Sequence, residues 1–194
     1  MKTKNFLFTG ALILLGLANV NSVLAQASNT DNVTLNLKFK PVQTITVNPV
    51  QETVDFLYQT ETDYADGVNL AAKTKHLKVF STGGFQVNVK TSGTDFTSGN
   101  TAITIPVSDV SVKATASEGN NREYASIGIA VSLSTSDQMI VQSNGGGRDL
   151  EFDVEYDNTA DAADAYIDRY NSSHVDGEGA TVFTTTLTYS ITTI

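Results

Sequence analysis

Hydrophobic and polar residues alternate with a period of two along most of this chain. The stretch from residue 32 to 40, NVTLNLKFK, places Val33, Leu35, Leu37 and Phe39 on one face and polar side chains on the other. Alternation over four to eight residues predicts a β-strand with one buried face. The stretch is therefore predicted to be the first strand of the fold.

The same alternation recurs to the end of the sequence. It appears in QTITVN, HLKVFS, GFQVNVK, DVSVKA, SIGIAVSLS and LEFDVEY, and in FTTTLTYSI it aligns Phe183, Leu187, Tyr189 and Ile191. Turn-forming stretches such as STGG, TSGT and SNGGG separate these segments. About eight to ten strands are expected, and one antiparallel sheet cannot bury its apolar face alone. The pattern predicts an all-β fold, an Ig-like antiparallel β-sandwich.

One segment departs from this pattern. Residues 159–170, TADAADAYIDRY, place Ala162, Tyr166 and Tyr170 four residues apart. That spacing is typical of a helix face, so one short helix or helical turn is predicted there.

The first residues have the composition of an export signal. Lys2 and Lys4 precede an apolar run over residues 6–17, and VLAQA follows with small residues at cleavage positions. This arrangement predicts a secretory signal peptide over residues 1–27, cleaved after Ala25 or Ala27. The apolar run is shorter than the roughly 20 residues that a membrane span requires, so no span is expected after cleavage.

The remainder, residues 28–194, has the length of a single domain. The chain has no cysteine, so its stability is expected to depend on burial and hydrogen bonding without disulfides. Its net charge is −9, and removal of two lysines with the signal peptide would give 10 − 21 = −11. A field of this sign disfavours nucleic acid and anionic membranes as partners and favours cations.

Catalytic patterns are weak. No cysteine nucleophile and no G-x-S-x-G motif is present. Ser173, His174 and Asp176 could be drawn as a triad, but neighbours in one loop rarely adopt triad geometry. His76 lies beside lysines at a strand start, and the acidic residues fall on polar faces or in loops. We therefore expect no enzymatic activity.

Clustered carboxylates raise the question of calcium. Hard oxygen ligands in a flexible loop suit Ca²⁺, and one acidic cluster comprises Asp157, Asp161, Asp164, Asp168, Asp176 and Glu178. A second comprises Glu61, Asp63 and Asp66. Neither meets the EF-hand pattern, so a solvated acidic surface is the favoured interpretation and a Ca²⁺ site the alternative. No other cofactor is predicted.

The order of signal peptide, N-terminal alternating strand, cysteine-free Thr-rich β-region and C-terminal strand resembles that of bacterial fimbrial or pilus subunits. It is also similar to that of spore-coat-U-like secreted domains. The resemblance implies a structural or adhesive protein of the cell surface, fimbria or extracellular matrix. Its implied partners are further copies, other surface subunits and a periplasmic chaperone.

The role of the first strand has two interpretations. The Val33–Phe39 strand either packs in its own sandwich or inserts into a neighbouring subunit as a donated strand, with Phe183–Ile191 as the edge of the acceptor. The alternative function is a Ca²⁺-assisted carbohydrate- or surface-binding module, which would use residues 157–178.

Overall fold

The computed structural model describes residues 30–99, 102–159, 164–174 and 179–194. Two units are distinguished, Met1–Lys38 and Phe39–Ile194. The second carries all the regular secondary structure of the described residues. The strands, in chain order, are β1 (Gln43–Val47), β2 (Val68–Asn69), β3 (Lys73–Ser81), β4 (Phe85–Thr91), β5 (Asp95–Thr97), β6 (Thr104–Pro106), β7 (Ser111–Ala116), β8 (Val131–Ser132), β9 (Gln138–Ser143), β10 (Gly147–Asn158) and β11 (Leu187–Thr193).

Every strand pairing is antiparallel, and the described part of the chain forms three sheets. The largest has the order β1-β3-β10-β7-β8, with β2 paired to β10 at Asp157 and Asn158. The second sheet has the order β11-β4-β9, and β5 and β6 form a third, two-stranded sheet. The protein is therefore mostly β, as the alternation predicts.

The buried core draws on both larger sheets, because the apolar faces predicted from the alternation point into it. Phe152 and Val154 of β10 are fully buried, as are Val87 and Val89 of β4. The whole core consists of Leu77, Val79, Phe85, Val87, Val89, Val107, Val110, Val112, Ala114, Leu133, Ile140, Val141, Leu150, Phe152, Val154 and Tyr156. The period-two pattern thus predicted the buried faces of β3, β4, β7 and β10 correctly.

A bulge breaks the alternation near the start of β3. The pairing of β10 with β3 shifts register between Phe152 and Val154, and Lys75 on β3 has a left-handed φ of 51°. Between Phe152 and Val154 the strand β10 advances by two residues while β3 advances by four, from Leu77 to Lys73, so β3 bulges and its alternation is broken. His76 and Leu77, although adjacent in sequence, are consequently both buried.

Two α-helices are described, α1 (Glu61–Asp66) and α2 (Ile167–Ser173). Helix α1 was not expected from the sequence. It begins with a capping box, in which Thr60 Oγ1 accepts from the Asp63 N–H at 3.2 Å and Asp63 Oδ2 accepts from the Thr60 N–H at 2.8 Å. The T-x-x-D spacing is the signal that could have identified it.

Helix α2 lies near the predicted position but begins later. Asp164 has a left-handed φ of 64°, which a helix cannot include, and the helix begins only at Ile167. Tyr166 precedes the helix and Tyr170 lies within it. Ala162, the first residue of the predicted face, lies outside the described residues.

Candidate functional site

The N-terminal segment exposes its apolar side chains. The exposed fractions are 92% for Val33, 85% for Leu35, 78% for Leu37 and 91% for Phe39. No strand is assigned between residues 30 and 42. Transfer of each such side chain out of water contributes about 1.5–3 kcal/mol. A partner that covered the segment would therefore gain a large favourable free energy.

Strand β11 forms one edge of the second sheet. Among the described residues β11 pairs with one strand, β4, from Leu187↔Thr91 to Thr193↔Phe85. Tyr189 and Ile191, like Leu187, are partly buried and pack against the core. An edge strand leaves a row of backbone N–H and C=O groups that another strand can pair with.

A chain of hydrogen bonds crosses the interior beneath β11. Gln51 Oε1 lies 3.0 Å from His76 Nδ1, and the Tyr156 hydroxyl lies 2.8 Å from His76 Nε2. An amide oxygen only accepts, so Nδ1 carries the imidazole proton and Nε2 accepts from Tyr156. The Tyr189 hydroxyl, 2.5 Å away, then donates to the Tyr156 oxygen. This chain connects β3, β10 and β11, and it holds His76 neutral.

Acid should weaken the fold through His76. Burial, and secondarily the charge of Lys73, holds the pKa of His76 below its ordinary value. The unfolded chain therefore binds the proton first, and stability that is complete above about pH 6.5 falls as the pH is lowered toward the folded-state pKa, by at most about 1.4 kcal/mol per pH unit. Urea unfolding between about pH 5 and 7 should show this slope.

The variant His76→Gln isolates the effect, because its amide can both donate to Gln51 and accept from Tyr156. We expect it to lose most of the slope above about pH 5, where carboxylates contribute little. An unchanged slope in His76→Gln would contradict the assignment.

A second feature is a cavity of about 720 Å³. We call it the tyrosine cavity, and its described lining residues run from Val54 to Phe183. Its walls come from the extended segment 54–59, from α1, from the end of β10, from α2 and its N-terminal turn, and from residues 179–183. Six of its lining residues are Phe56, Tyr58, Tyr64, Asn158, Tyr166 and Arg169.

Hydrogen bonds fix the tyrosine rings of this cavity. The Tyr58 hydroxyl donates to Asn158 Oδ1. Asn158 Nδ2 donates to the backbone oxygen of Asp109 at 2.9 Å and to the Tyr166 hydroxyl at 3.0 Å, and that hydroxyl donates to Asp109 Oδ2 at 3.0 Å. The ring of Tyr58 is 5.2 Å from that of Tyr64 and 5.3 Å from that of Tyr166 between centroids. The aromatic wall is therefore built before any ligand arrives.

These phenols stay protonated at any physiological pH. Burial, with the nearby charges of Asp63 and Asp109, raises the pKa of Tyr58 to about 12. Burial also raises the pKa of Tyr166 and that of Tyr64. Each hydroxyl is therefore available as a neutral hydrogen-bonding group, and none contributes negative charge to the wall.

Two polar groups of the cavity have hydrogen-bonding capacity that the described residues do not fill. Arg169 donates through Nη1 to the backbone oxygen of Thr104, and among the described residues its guanidinium forms no ion pair. The Thr181 hydroxyl oxygen is buried, and within the described ranges it has no hydrogen-bond partner. Buried polar atoms of this kind are uncommon in native proteins and call for an explanation.

The residues drawn as a triad are not brought together in triad geometry among the described residues. The Ser173 hydroxyl donates to the backbone oxygen of Arg169 at 2.6 Å, within its own helix. The His174 ring stacks on Tyr170 at 4.7 Å between centroids. Asp176 lies outside the described residues.

The predicted calcium ligands are only partly described. Asp157 accepts from the Thr159 N–H at 2.8 Å, and Asp168 is exposed on α2. Asp164 is exposed in the turn before that helix, whereas Asp161, Asp176 and Glu178 lie outside the described residues. No group of three or more candidate metal ligands occurs among the residues that are described. The Ca²⁺ site stays a prediction.

The second acidic cluster has a structural explanation. Glu61, Asp63 and Asp66 all lie on α1, where Asp63 accepts from the backbone N–H groups of Gln59 and Thr60. These bonds hold the pKa of Asp63 below its ordinary value. Its carboxylate therefore caps the helix.

Most of the tyrosine cavity has no signal in the sequence. The helical spacing singled out Tyr166 and Tyr170, but no pattern singled out Tyr58, Asn158 or Arg169. Tyr58 lies 100 residues before Asn158 in the chain, and Arg169 comes from a different element, so no sequence spacing links the three. The fold alone brings them together.

Comparison with known protein families and curated sequences gives no match for the chain. Among the described helices, none is long and apolar enough to cross a membrane.

Proposed function

We propose that this protein is a secreted structural or adhesive subunit of the bacterial surface that assembles by strand donation. In this proposal residues 33–39 of one copy insert beside β11 of the next. The observation that carries it is the exposure of Val33, Leu35, Leu37 and Phe39, which alternate with polar residues in the sequence and would share one face of a strand. A periodic apolar face in water is typical of a surface that becomes covered by a partner.

The proposed fold is an Ig-like β-sandwich in which the two larger sheets face each other. The shared core and the Tyr156–Tyr189 hydrogen bond between strands of the two sheets support it. In such a fold β11 would present an edge whose inward side chains are only partly buried. A donated strand would complete their burial and pair with the free backbone groups of that edge.

Charge supports association between copies. Residues 32–40 carry two lysines and no acid, a charge of +2, whereas residues 41–194 carry 8 basic and 20 acidic residues, 8 − 20 = −12. A cationic strand is attracted to an anionic body, which raises the rate of encounter. The same proposal includes export and a location at the cell surface, in a fimbria or in the extracellular matrix. It also includes other surface subunits and a chaperone as partners.

Apolar burial alone would roughly balance the free-energy cost of association. Burial of the four side chains would contribute about 6–12 kcal/mol, against an association cost of about 4–15 kcal/mol. Backbone pairing with β11 would supply the remainder. The proposal therefore requires both the apolar face and an open sheet edge.

The test is to replace the four apolar residues by serine and to examine assembly by size-exclusion chromatography and electron microscopy. We expect a ladder of multimers or fibres for the unaltered protein and monomers for the variant. The matched control replaces Thr34, Asn36 and Lys38 by serine on the opposite face, and it should still assemble. Multimers that persist in the four-residue variant, or monomers in the unaltered protein, would contradict strand donation.

A synthetic peptide of residues 32–41 provides a second measurement. Added to protein that lacks residues 28–40, it should raise the melting temperature, because a ligand of the native state stabilises that state. A peptide with aspartate at the four apolar positions should have no effect. If neither peptide binds, the acceptor part of the proposal is wrong.

A further inference from the structure

We infer that the tyrosine cavity binds a sugar ring that carries a carboxylate. This inference does not depend on strand donation, since it uses a different part of the protein. It rests on three features of the cavity: a guanidinium and a buried hydroxyl that have no ion-pair or hydrogen-bond partner, respectively, among the described residues, and an aromatic wall.

The guanidinium of Arg169 selects a negative charge. Of the chain's twelve basic residues it is one of only three arginines, in a protein whose net charge is −9. Despite this excess of acids, no carboxylate among the described residues pairs with it. Its single hydrogen bond to Thr104 fixes the side chain and leaves further N–H groups of the planar fork for an anion. A carboxylate fits that fork with two parallel hydrogen bonds.

The aromatic wall favours a ring with an apolar face. Tyr58, Tyr64 and Phe56 line the cavity, and the network through Asn158 fixes the orientation of Tyr58 and Tyr166. Rigid aromatic walls with a few oriented polar groups are typical of small-ligand sites, and 720 Å³ is within their size range. A sugar ring combines an apolar C–H face with a polar edge.

Unsatisfied polar groups favour a ligand rich in hydroxyls over a plain aromatic acid. The buried Thr181 hydroxyl lowers stability until something bonds to it. Tyr64 also lines the cavity, and its hydroxyl can donate to or accept from a ligand hydroxyl. The exposed Asp55 carboxylate at the rim can accept from sugar hydroxyls. An apolar acid such as benzoate would leave the buried Thr181 hydroxyl unpaired.

Calorimetric or NMR titration of the purified protein tests the inference with three probes. Glucuronate carries both the ring hydroxyls and the carboxylate, glucose lacks the charge, and benzoate lacks the hydroxyls. We expect glucuronate to bind at least about ten-fold more tightly than either of the others. No binding of glucuronate, equal binding of glucose, or equal binding of benzoate would overturn the inference.

Variants assign the recognition to particular groups. Arg169→Gln should weaken glucuronate binding by about ten- to a hundred-fold and leave glucose unaffected. The control Arg148→Gln removes an equal charge from an exposed side chain outside the cavity lining and should change neither. Glucuronate binding that is the same in Arg169→Gln would overturn the role of the guanidinium.

Thr181→Val is a second variant that should fold normally, because it replaces a buried hydroxyl by a methyl of similar size, and that hydroxyl has no partner among the described residues. The melting temperature of the free protein should stay the same or rise, whereas glucuronate binding should weaken by about three- to ten-fold. If Thr181 had only a structural role, the variant would not combine weaker glucuronate binding with an unchanged or higher melting temperature. Failure to observe these two results together would overturn the proposed contact.

Discussion

Replacement of Phe152 by alanine should destabilise the protein by about 3–5 kcal/mol. Phe152 is fully buried at the centre of β10, and the Tyr124 ring packs edge-on against it at 5.3 Å between centroids. The neighbouring strands are held by sheet pairing and cannot collapse fully into the space, so a cavity remains. Loss of this size is a large fraction of the roughly 5–15 kcal/mol that stabilises a typical domain. Urea unfolding at neutral pH measures it.

Phe39→Ala is the matched control, because it makes the same chemical change at a residue that is 91% exposed. Its free energy of unfolding should stay within about 0.5 kcal/mol of the unaltered protein. Under the strand-donation proposal the same variant should weaken assembly. A large stability loss in Phe39→Ala, or a small one in Phe152→Ala, would contradict the described burial.

The second large effect is expected for Gly146→Ala. A Cβ at this position would lie 2.2 Å from the backbone oxygen of Ser81 and 2.6 Å from the backbone nitrogen of Gly83. Backbone atoms cannot rotate away as a side chain would, so the turns before β4 and β10 must separate. We expect a loss near the upper end of the roughly 1–3 kcal/mol that overpacking typically costs, visible as a lower midpoint of urea unfolding.

Gly83→Ala provides the control in the facing turn. A Cβ there would have nothing within 4 Å, so its cost should be below about 1 kcal/mol. Equal losses for the two variants would show that chain flexibility, rather than close approach of the backbones, explains the requirement for glycine at position 146.

Much of the fold could be predicted because burial follows the side-chain period of a strand. The alternation in GFQVNVK and LEFDVEY is sufficient by itself to identify buried residues of β4 and β10. Strand β9 was not identified, since Ile140 and Val141 are adjacent and both buried. The β4–β9 pairing shifts register between Val87 and Asn88, and such an irregularity has no signature in a single sequence.

His76 illustrates the same limit at a polar residue. Strict alternation places it opposite Leu77, on the solvent face, and a solvated histidine has no structural role. The bulge at Lys75 turns it inward, where Gln51 and Tyr156 satisfy both ring nitrogens. The neighbouring lysines in the sequence already indicate a lowered basicity, but the main cause is burial and the charged neighbour is Lys73.

The sequence by itself determined the class of this protein: a mostly β chain without disulfides, strongly acidic, with an alternating apolar segment at residues 33–39. These properties follow from composition and local periodicity, which each segment carries independently of the others. Tertiary structure alone decided which groups meet in the tyrosine cavity, which glycine faces a backbone, and that residues 33–39 expose their apolar side chains. Those outcomes depend on strand order and register, and they are set by packing between segments far apart in the chain.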